Sequence, residues 1–242
     1  MALFEPLTIG NVTLRNRIAV SPMCQYSAED GLGGDWHVQH LGARAMGGAG
    51  IVCVEATAVE AIGRITPGCL GAYAPKHLPL LKRLAEIIAY GGAVPAIQIG
   101  HAGRKASSNL PWKGGAPISP ADGGWVPVGP SPIPFTAGAV DPTPLTPADI
   151  AALAGKFAAS AKMALEAGFK IVEIHGAHGY LLHSFLSPIS NRRKDQYGGD
   201  LKGRARFLME TIDAVTRASV APSESTPKGL ATPVRRKVNS PI

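Results

Sequence analysis

The sequence predicts an α/β fold with parallel strands, and three features of the chain point to it. Short apolar runs alternate with longer amphipathic runs along most of the chain. The amphipathic runs are long enough to carry the chain back over a sheet, as parallel neighbouring strands require. The 242 residues are 45% apolar, which is enough to bury a substantial core, and 29 Gly and 21 Pro mark many tight turns.

The first hundred residues predict two complete strand-helix units and a third strand. Apolar runs such as RIAVS and IVCVE are typical of buried strands, and double glycines end both helical patterns. The expected order is strand, helix, strand, helix, strand over residues 17–21, 36–46, 51–55, 75–90 and 94–99.

A Gly- and Pro-rich stretch over residues 105–145 has little periodicity and predicts an excursion or lid. The helix after it has the clearest local signals of the chain. Thr146 can cap it, Pro147 occupies its first position, Asp149 its third, and Gly168 ends it. Residues 171–175 (IVEIH) predict a fourth strand, and residues 201–217 predict a last helix with Phe207, Leu208, Ile212 and Val215 facing inward.

Residues 218–242 interrupt this alternation. They contain no strand-like run and are rich in Pro, Ser and basic residues, so we expect a disordered or aberrant tail after one domain of residues 1–217. Strand order is not encoded locally. The pattern alone therefore permits both an open doubly wound sheet and part of a (β/α)8 barrel.

Composition excludes several classes of protein. There is no uninterrupted apolar run of about 18 residues and no secretory signal at the start, so we expect a cytoplasmic protein without membrane contact. Three cysteines without a C-x-x-C pair argue against a disulfide framework and a cysteine zinc site. The formal net charge is +7, but much of the excess lies in the tail and no basic stripe is interleaved with aromatics. Nucleic-acid binding is therefore not expected, whereas anionic small ligands are compatible with the charge.

The side chains best suited to chemistry follow the predicted strands. His175, His178 and Tyr180 come at the exit of the fourth strand, where α/β folds bind ligands. The period of two places His175 on the same strand face as Glu173, which we expect to be buried. Singly, each histidine would more often be a structural hydrogen-bonding group, but three such side chains between glycines favour a site.

Two further strand exits add candidates. Gln98 ends the third strand, where its amide either bonds to the backbone or recognises a ligand edge, and His101, Arg104 and Lys105 follow it. Cys24 follows the first strand. A cysteine hydrolase with a histidine base, or a metal-dependent lyase using His101, His175 and His178, remain alternatives at this level.

Longer motifs resemble a known family. They are SPMCQYS at 21–27, VEATAV at 54–59, GRIT at 63–66, QIGHAGRK at 98–105, EIHGAHGYLLHSFLSPISN at 173–191 and DQYGG at 195–199. Together they resemble the Old Yellow Enzyme family, especially its YqjM-like branch of xenobiotic reductases and NADPH dehydrogenases. The resemblance implies an FMN-containing (β/α)8 TIM barrel of which about four βα units are present. It also implies that the chain is incomplete at its C-terminus.

The resemblance further implies an activity, the reduction of an activated alkene by NADPH or NADH through FMN. We also expect that the protein can form a homo-oligomer. The implied flavin contacts are Ser21, Pro22, Met23, Cys24, Ala56 and Gln98, with Cys24 tuning the flavin. His175 and His178 would donate hydrogen bonds to the substrate carbonyl, Tyr26 would help to hold the substrate, and Tyr180 would supply a proton. The alternative is an inactive remnant with weak or no flavin binding.

Overall fold

A computed structural model describes residues 2–219 of the chain. Its regular elements follow the βα alternation, with additional short pieces. The strands are β1 (Leu7–Ile9), β2 (Val12–Leu14), β3 (Ala19–Val20), β4 (Ile51–Ala58), β5 (Val94–Gly100), β6 (Val128–Gly129), β7 (Thr143–Pro144) and β8 (Ile171–Ile174). The helices are α1 (Asp35–Met46), α2 (Leu78–Tyr90), α3 (Pro147–Ala167), α4 (Leu181–Leu186) and α5 (Leu201–Ser219).

The main sheet has four parallel strands in the order β3-β4-β5-β8. Chain order and spatial order agree, and each crossover contains a helix. In the register, Cys53 lies opposite Ala96, and Gln98 lies opposite Glu173. The carboxyl ends of neighbouring strands therefore lie at one edge of the sheet, where the predicted site residues follow them.

The helices pack on one face of the sheet and form two apolar clusters. The first cluster joins α1 and α2 to β4 and β5, with Leu84, Ile88 and Ile97 fully buried. The second joins α3, α4 and α5. In it the rings of Phe185 and Phe207 meet edge to face with their centroids 5.0 Å apart.

The capping signal of α3 is confirmed. The backbone N–H of Asp149 donates to Thr146 Oγ1 at 3.2 Å, and the backbone N–H of Thr146 donates to Asp149 Oδ2 at 2.9 Å. Gly168 ends the helix with φ +104, a left-handed conformation that glycine adopts without strain.

Several boundaries differ from the prediction. The first strand of the sheet is only Ala19–Val20, the second extends to Ala58, and Pro75 begins a 3-10 turn before α2. α5 runs to Ser219, beyond the expected boundary at residue 217. On α5 Phe207, Thr211 and Val215 are buried, while Leu208 and Ile212 are only partly buried.

Three features were not predicted. β1 and β2 form an antiparallel hairpin, β6 and β7 pair within the excursion, and α4 lies in a segment expected to be a loop. Among residues 2–219, no helix is both long and apolar enough to cross a bilayer. The predicted tail falls outside the described residues except for its first two positions.

Candidate active site

A cleft lies at the exits of β4, β5 and β8. Its volume is about 260 Å³, including the part open to solvent. Small residues form much of its wall, and Arg64, His101, His175 and Tyr180 are the larger polar side chains that line it. The small residues are Ala56, Ala58, Gly63, Gly100 and Ala102. Gly100 lets β8 approach closely, because a Cβ there would lie only 3.0 Å from His175 Cβ.

The two imidazoles lie side by side at the exit of β8. His175 is 8% exposed and His178 is exposed, with their ring centroids 5.1 Å apart. The Ala177 backbone N–H donates to His175 Nδ1 at 3.2 Å, so the proton of neutral His175 is on Nε2. That nitrogen lies 3.3 Å from His178 Nδ1, which leaves Nε2–H of His178 as the outward donor.

Burial and the neighbouring His178 lower the pKa of His175. This favours the neutral form of His175, in which its ring donates one hydrogen bond. His178 has φ +56, which costs a residue other than glycine roughly 1–3 kcal/mol. Lys105 Nζ donates to its carbonyl oxygen at 3.0 Å and holds this conformation.

Tyr180 is positioned by the first turn of α4. It is the N-cap residue of the helix, and Ser184 N–H donates to its carbonyl at 2.7 Å. The following Leu181 is fully buried and donates its N–H to the His101 carbonyl at 2.9 Å. The Tyr180 ring lies 4.8 Å from that of His175. Burial, with smaller contributions from Cys24 and Cys69, raises the pKa of Tyr180 to about 12, so its phenol stays protonated.

Cys24 lies within reach of Cys69, a residue to which the sequence gave no role. The two thiols are close enough for each to be the largest influence on the pKa of the other. All three cysteines of the chain are free thiols. The contact with Cys69 and burial raise the pKa of Cys24, which is the opposite of what a nucleophilic thiolate requires. The geometry therefore argues against the cysteine hydrolase alternative.

Cys69 has the more acidic thiol. The neighbouring Cys24 thiol is the main cause that lowers the pKa of Cys69, and the Thr66 N–H, 3.4 Å from Cys69 Sγ, lowers it further although burial opposes this. The Cys53 thiol is less acidic than an ordinary thiol, because burial raises its pKa to about 12.

We expect a single thiolate to form first as the pH rises, and we assign it to Cys69. Absorbance at 240 nm, followed from pH 5 to 9, measures the number of thiolates. Cys69→Ser should remove this step, whereas Cys53→Ser should leave it unchanged. A step that survives in Cys69→Ser would contradict the assignment.

Gln98 and Tyr26 complete the predicted set near the cleft. Gln98 is 8% exposed and its Nε2 donates to Glu173 Oε1 at 2.6 Å, so its partner is a side chain and not the backbone. Glu173 itself is exposed, and the expectation of a buried carboxylate was wrong. The strand period gives the face of a residue correctly, but coverage of that face depends on tertiary structure. Tyr26 is near enough to Cys24 and Tyr180 for both to raise its pKa, after burial as the main cause.

The remaining predicted residues lie slightly apart from the cleft. Ser21 and Met23 are exposed and line a small neighbouring pocket, and Pro22 between them is partly buried. This pocket also contains His37 and Glu55, which sequence reasoning missed. Both are almost fully buried, 1% and 3% exposed, with His37 Nε2 3.2 Å from Glu55 Oε1.

Glu55 connects this pair to the predicted flavin segment. Its Oε2 accepts from the Gln25 backbone N–H at 3.0 Å, directly after Cys24. His37 Nδ1 accepts from Gly34 N–H at 3.2 Å, which places the proton of the neutral imidazole on Nε2. A sequence signal existed, since His37, Leu41 and Ala45 share the buried face of α1 at a spacing of four.

His101 lines the cleft, but its ring nitrogens are occupied by other protein groups. Its Nε2 lies 2.7 Å from Glu60 Oε1, and its Nδ1 accepts from Gly103 N–H at 2.9 Å. Although burial opposes ionisation of Glu60, hydrogen bonds with His101 and Lys156 lower its pKa to about 2. Both nitrogens of His101 therefore have protein partners, which argues against the metal-lyase alternative. In the described part of the chain, no group of three His, Cys, Asp or Glu side chains could hold a metal ion.

Relatives of known name share most of this chain. It is 46% identical over 218 residues to an NADH:flavin oxidoreductase of Gibberella zeae, covering 88% of this chain and 52% of the relative. It is 45% identical over 237 residues to an NADPH dehydrogenase of a Geobacillus species, covering 94% of this chain and 65% of the relative. The chain thus spans between half and two thirds of the length of these relatives.

Solved structures show the same architecture. Old Yellow Enzyme from a Pichia species matches with a TM-score of 0.80 and 27% identity, over 90% of this chain and 56% of that one. Morphinone reductase in complex with tetrahydroNAD matches with a TM-score of 0.78 and 29% identity, over 90% of this chain and 61% of that one. These neighbours are TIM barrels, so the prediction of a partial (β/α)8 barrel is confirmed. Residues 2–223 match the model of one family. The chain belongs to the NADH:flavin oxidoreductase / NADH oxidase family.

Proposed function

We propose that this chain carries the substrate side of an FMN-dependent ene-reductase site. The family's cofactor is FMN, with NAD(P)H as the hydride donor. The proposed reaction moves hydride from NAD(P)H through FMN to the β-carbon of an α,β-unsaturated carbonyl compound, and Tyr180 protonates the α-carbon. The observation that carries the proposal is the convergence of His175, Tyr180 and Ala56 on one cleft, with His178 and Cys24 beside it.

The residues present fit one face and one edge of a flavin ring. The alanines and glycines of the cleft present a wall with few protruding side chains, against which a flat ring can pack. Ala56, Cys24 and Gln98 would hold the ring in this cleft, and Ser21, Pro22 and Met23 would contact it from the neighbouring strand exit. When bound, FMN supplies reversible hydride transfer, which no side chain provides.

The chain's own polar groups suit the charge that develops in the substrate. Hydride addition to an enone builds negative charge on the carbonyl oxygen, and a fixed N–H donor stabilises that charge more than the ground state. His178 Nε2–H is the donor that faces outward, and His175, kept neutral by burial, orients it through the contact at 3.3 Å. His175 donates directly to the substrate if this contact opens.

A spectroscopic experiment tests the proposal. The full chain is purified, mixed with FMN and freed of unbound ligand, and its visible spectrum is recorded before and after anaerobic addition of NADPH. We expect a bound flavin spectrum that bleaches with NADPH and returns when an enone is added. A protein that retains no flavin would instead support the inactive remnant and overturn the proposal for this chain.

The role of His178 can be measured by ligand binding alone. A phenolate resembles the oxyanion, so we expect His178→Ala to weaken binding of a para-substituted phenol about tenfold or more, as for the loss of one hydrogen bond to a charged group. The change in flavin absorbance on titration measures the affinity. His178→Gln retains an N–H donor and should recover part of it. Equal affinities in the parent and His178→Ala would contradict the assignment.

A further inference from the structure

Two adjacent cations lie between the cleft and the excursion. Arg104 and Lys105 follow β5 and line a cavity of about 340 Å³ whose other walls come from residues 106–140. Lys105 and Phe135 also line a second, wider depression that reaches Tyr26. We call the two depressions together the excursion groove and define it by Arg104, Lys105, Ser108, Phe135 and Thr136. None of the described residues that line the two depressions is acidic.

Neither cation has a carboxylate partner among residues 2–219. Arg104 Nη1 donates to the carbonyls of Ile133 and Pro134 at 3.3 and 3.2 Å, and its buried Nε has no partner among the described groups. Lys105 Nζ donates to the His178 carbonyl and has two further N–H groups. Burial lowers the pKa of both groups. Both cations are partly desolvated, and their hydrogen-bond partners in the protein are carbonyl oxygens. An anion bound in the groove would therefore compensate their charges.

The groove begins at the wall of the cleft. Lys105 Nζ lies 5.1 Å from the Tyr180 ring centroid and 4.4 Å from that of Phe135. A ligand that places a ring in the cleft and extends toward the excursion must therefore pass Lys105. A nicotinamide dinucleotide has this form, with an uncharged ring at one end and phosphates farther along the molecule.

We propose that Arg104 and Lys105 form a phosphate subsite for the nicotinamide dinucleotide that donates hydride. The inference deepens the proposed function and rests on it for the identity of the ligand. Arg104 also has a structural role, because its hydrogen bonds to the carbonyls of residues 133 and 134 hold the wall of the groove in place. Lys105 is therefore the better position for mutation.

Equilibrium binding tests the subsite without any turnover. NADP⁺ is titrated into the full chain by calorimetry, with and without FMN. Lys105→Gln retains a neutral donor for the His178 carbonyl but removes the charge, and we expect its NADP⁺ affinity to fall about tenfold. Lys105→Arg should retain the affinity. Lys194→Gln is the matched control, since Lys194 is exposed and lies outside the groove. The difference should shrink at 1 M NaCl, where exposed charges are screened.

A second measurement separates the subsite from an effect on the cleft. N-benzyl-1,4-dihydronicotinamide donates hydride but carries no phosphate, so Lys105→Gln should raise KM for NADPH and leave KM for this donor unchanged. Equal changes for both donors, unchanged NADP⁺ affinity, or weakened binding of only a carboxylate-bearing enone would each overturn the proposal. If the chain retains no flavin but NADP⁺ binding still depends on Lys105, the proposed function fails while the subsite stands.

Discussion

Replacing Tyr180 with phenylalanine is expected to slow reduction of an enone by about 10²–10⁴-fold, while reduction of bound FMN by NADPH keeps its rate. The change removes only the hydroxyl. The aromatic ring, 4.8 Å from His175, can still pack as before, so the cleft keeps its form. Within the described residues the Tyr180 hydroxyl bonds to no protein group, which leaves it available to a substrate. The proton is needed only when the alkene is reduced, so the two half-reactions should separate.

The pH dependence follows from the environment of the phenol. Burial and the two neighbouring thiols raise the pKa of Tyr180 to about 12. Its proton is therefore present throughout pH 6–9, and alkene reduction should show no loss from this group in that range. Tyr26→Phe is the matched control, because it makes the same change in a neighbouring phenol. It should alter KM for the enone more than kcat. If stopped-flow absorbance shows that Tyr180→Phe slows both half-reactions equally, Tyr180 is not the proton donor.

Local signals predicted the elements that local physics determines. The N-cap and left-handed C-terminal glycine of α3 are set by neighbouring residues, and both were visible in the sequence. α4 was missed because its six residues, LLHSFL, are too short to show a helical period. It forms because Leu181 and Phe185 enter the apolar cluster under α3 and α5, which is a tertiary effect.

The site was predictable where strand exits determine it and unpredictable where long-range contacts do. His175 and Tyr180 follow one strand within six residues, so their proximity could be expected. Cys24 and Cys69 belong to different strand exits, and no local pattern relates them. Their contact depends on the neighbouring positions of β3 and β4 and on the segment after β4, which packs back through the bond from Ala28 N–H to the Gly68 carbonyl at 3.0 Å.

Removing the Glu55 carboxylate is expected to cost more stability than removing any exposed charge. Glu55→Ala removes the carboxylate that lies 3.2 Å from the buried His37 Nε2 and leaves the backbone N–H of Gln25 without its acceptor. Leaving a buried polar group without its partner typically costs about 1–3 kcal/mol. Urea unfolding followed by circular dichroism measures the loss in the free energy of unfolding. Glu166→Ala, an exposed helical glutamate, should change it by less than about 0.5 kcal/mol.

The same substitution also tests what Glu55 does for the site. Glu55 holds the backbone directly after Cys24, so its loss should free the segment of residues 21–26 and speed alkylation of Cys24 by iodoacetamide under native conditions. The double variant Glu55→Ala/His37→Ala removes both side chains. Its loss in the free energy of unfolding should be smaller than the sum of the two single losses by about 0.5–3 kcal/mol. Strict additivity, with an unchanged Cys24 alkylation rate, would mean that the pair merely fills space. Coupling together with faster alkylation would show that a buried carboxylate, desolvated at a cost, fixes the thiol beside the cleft.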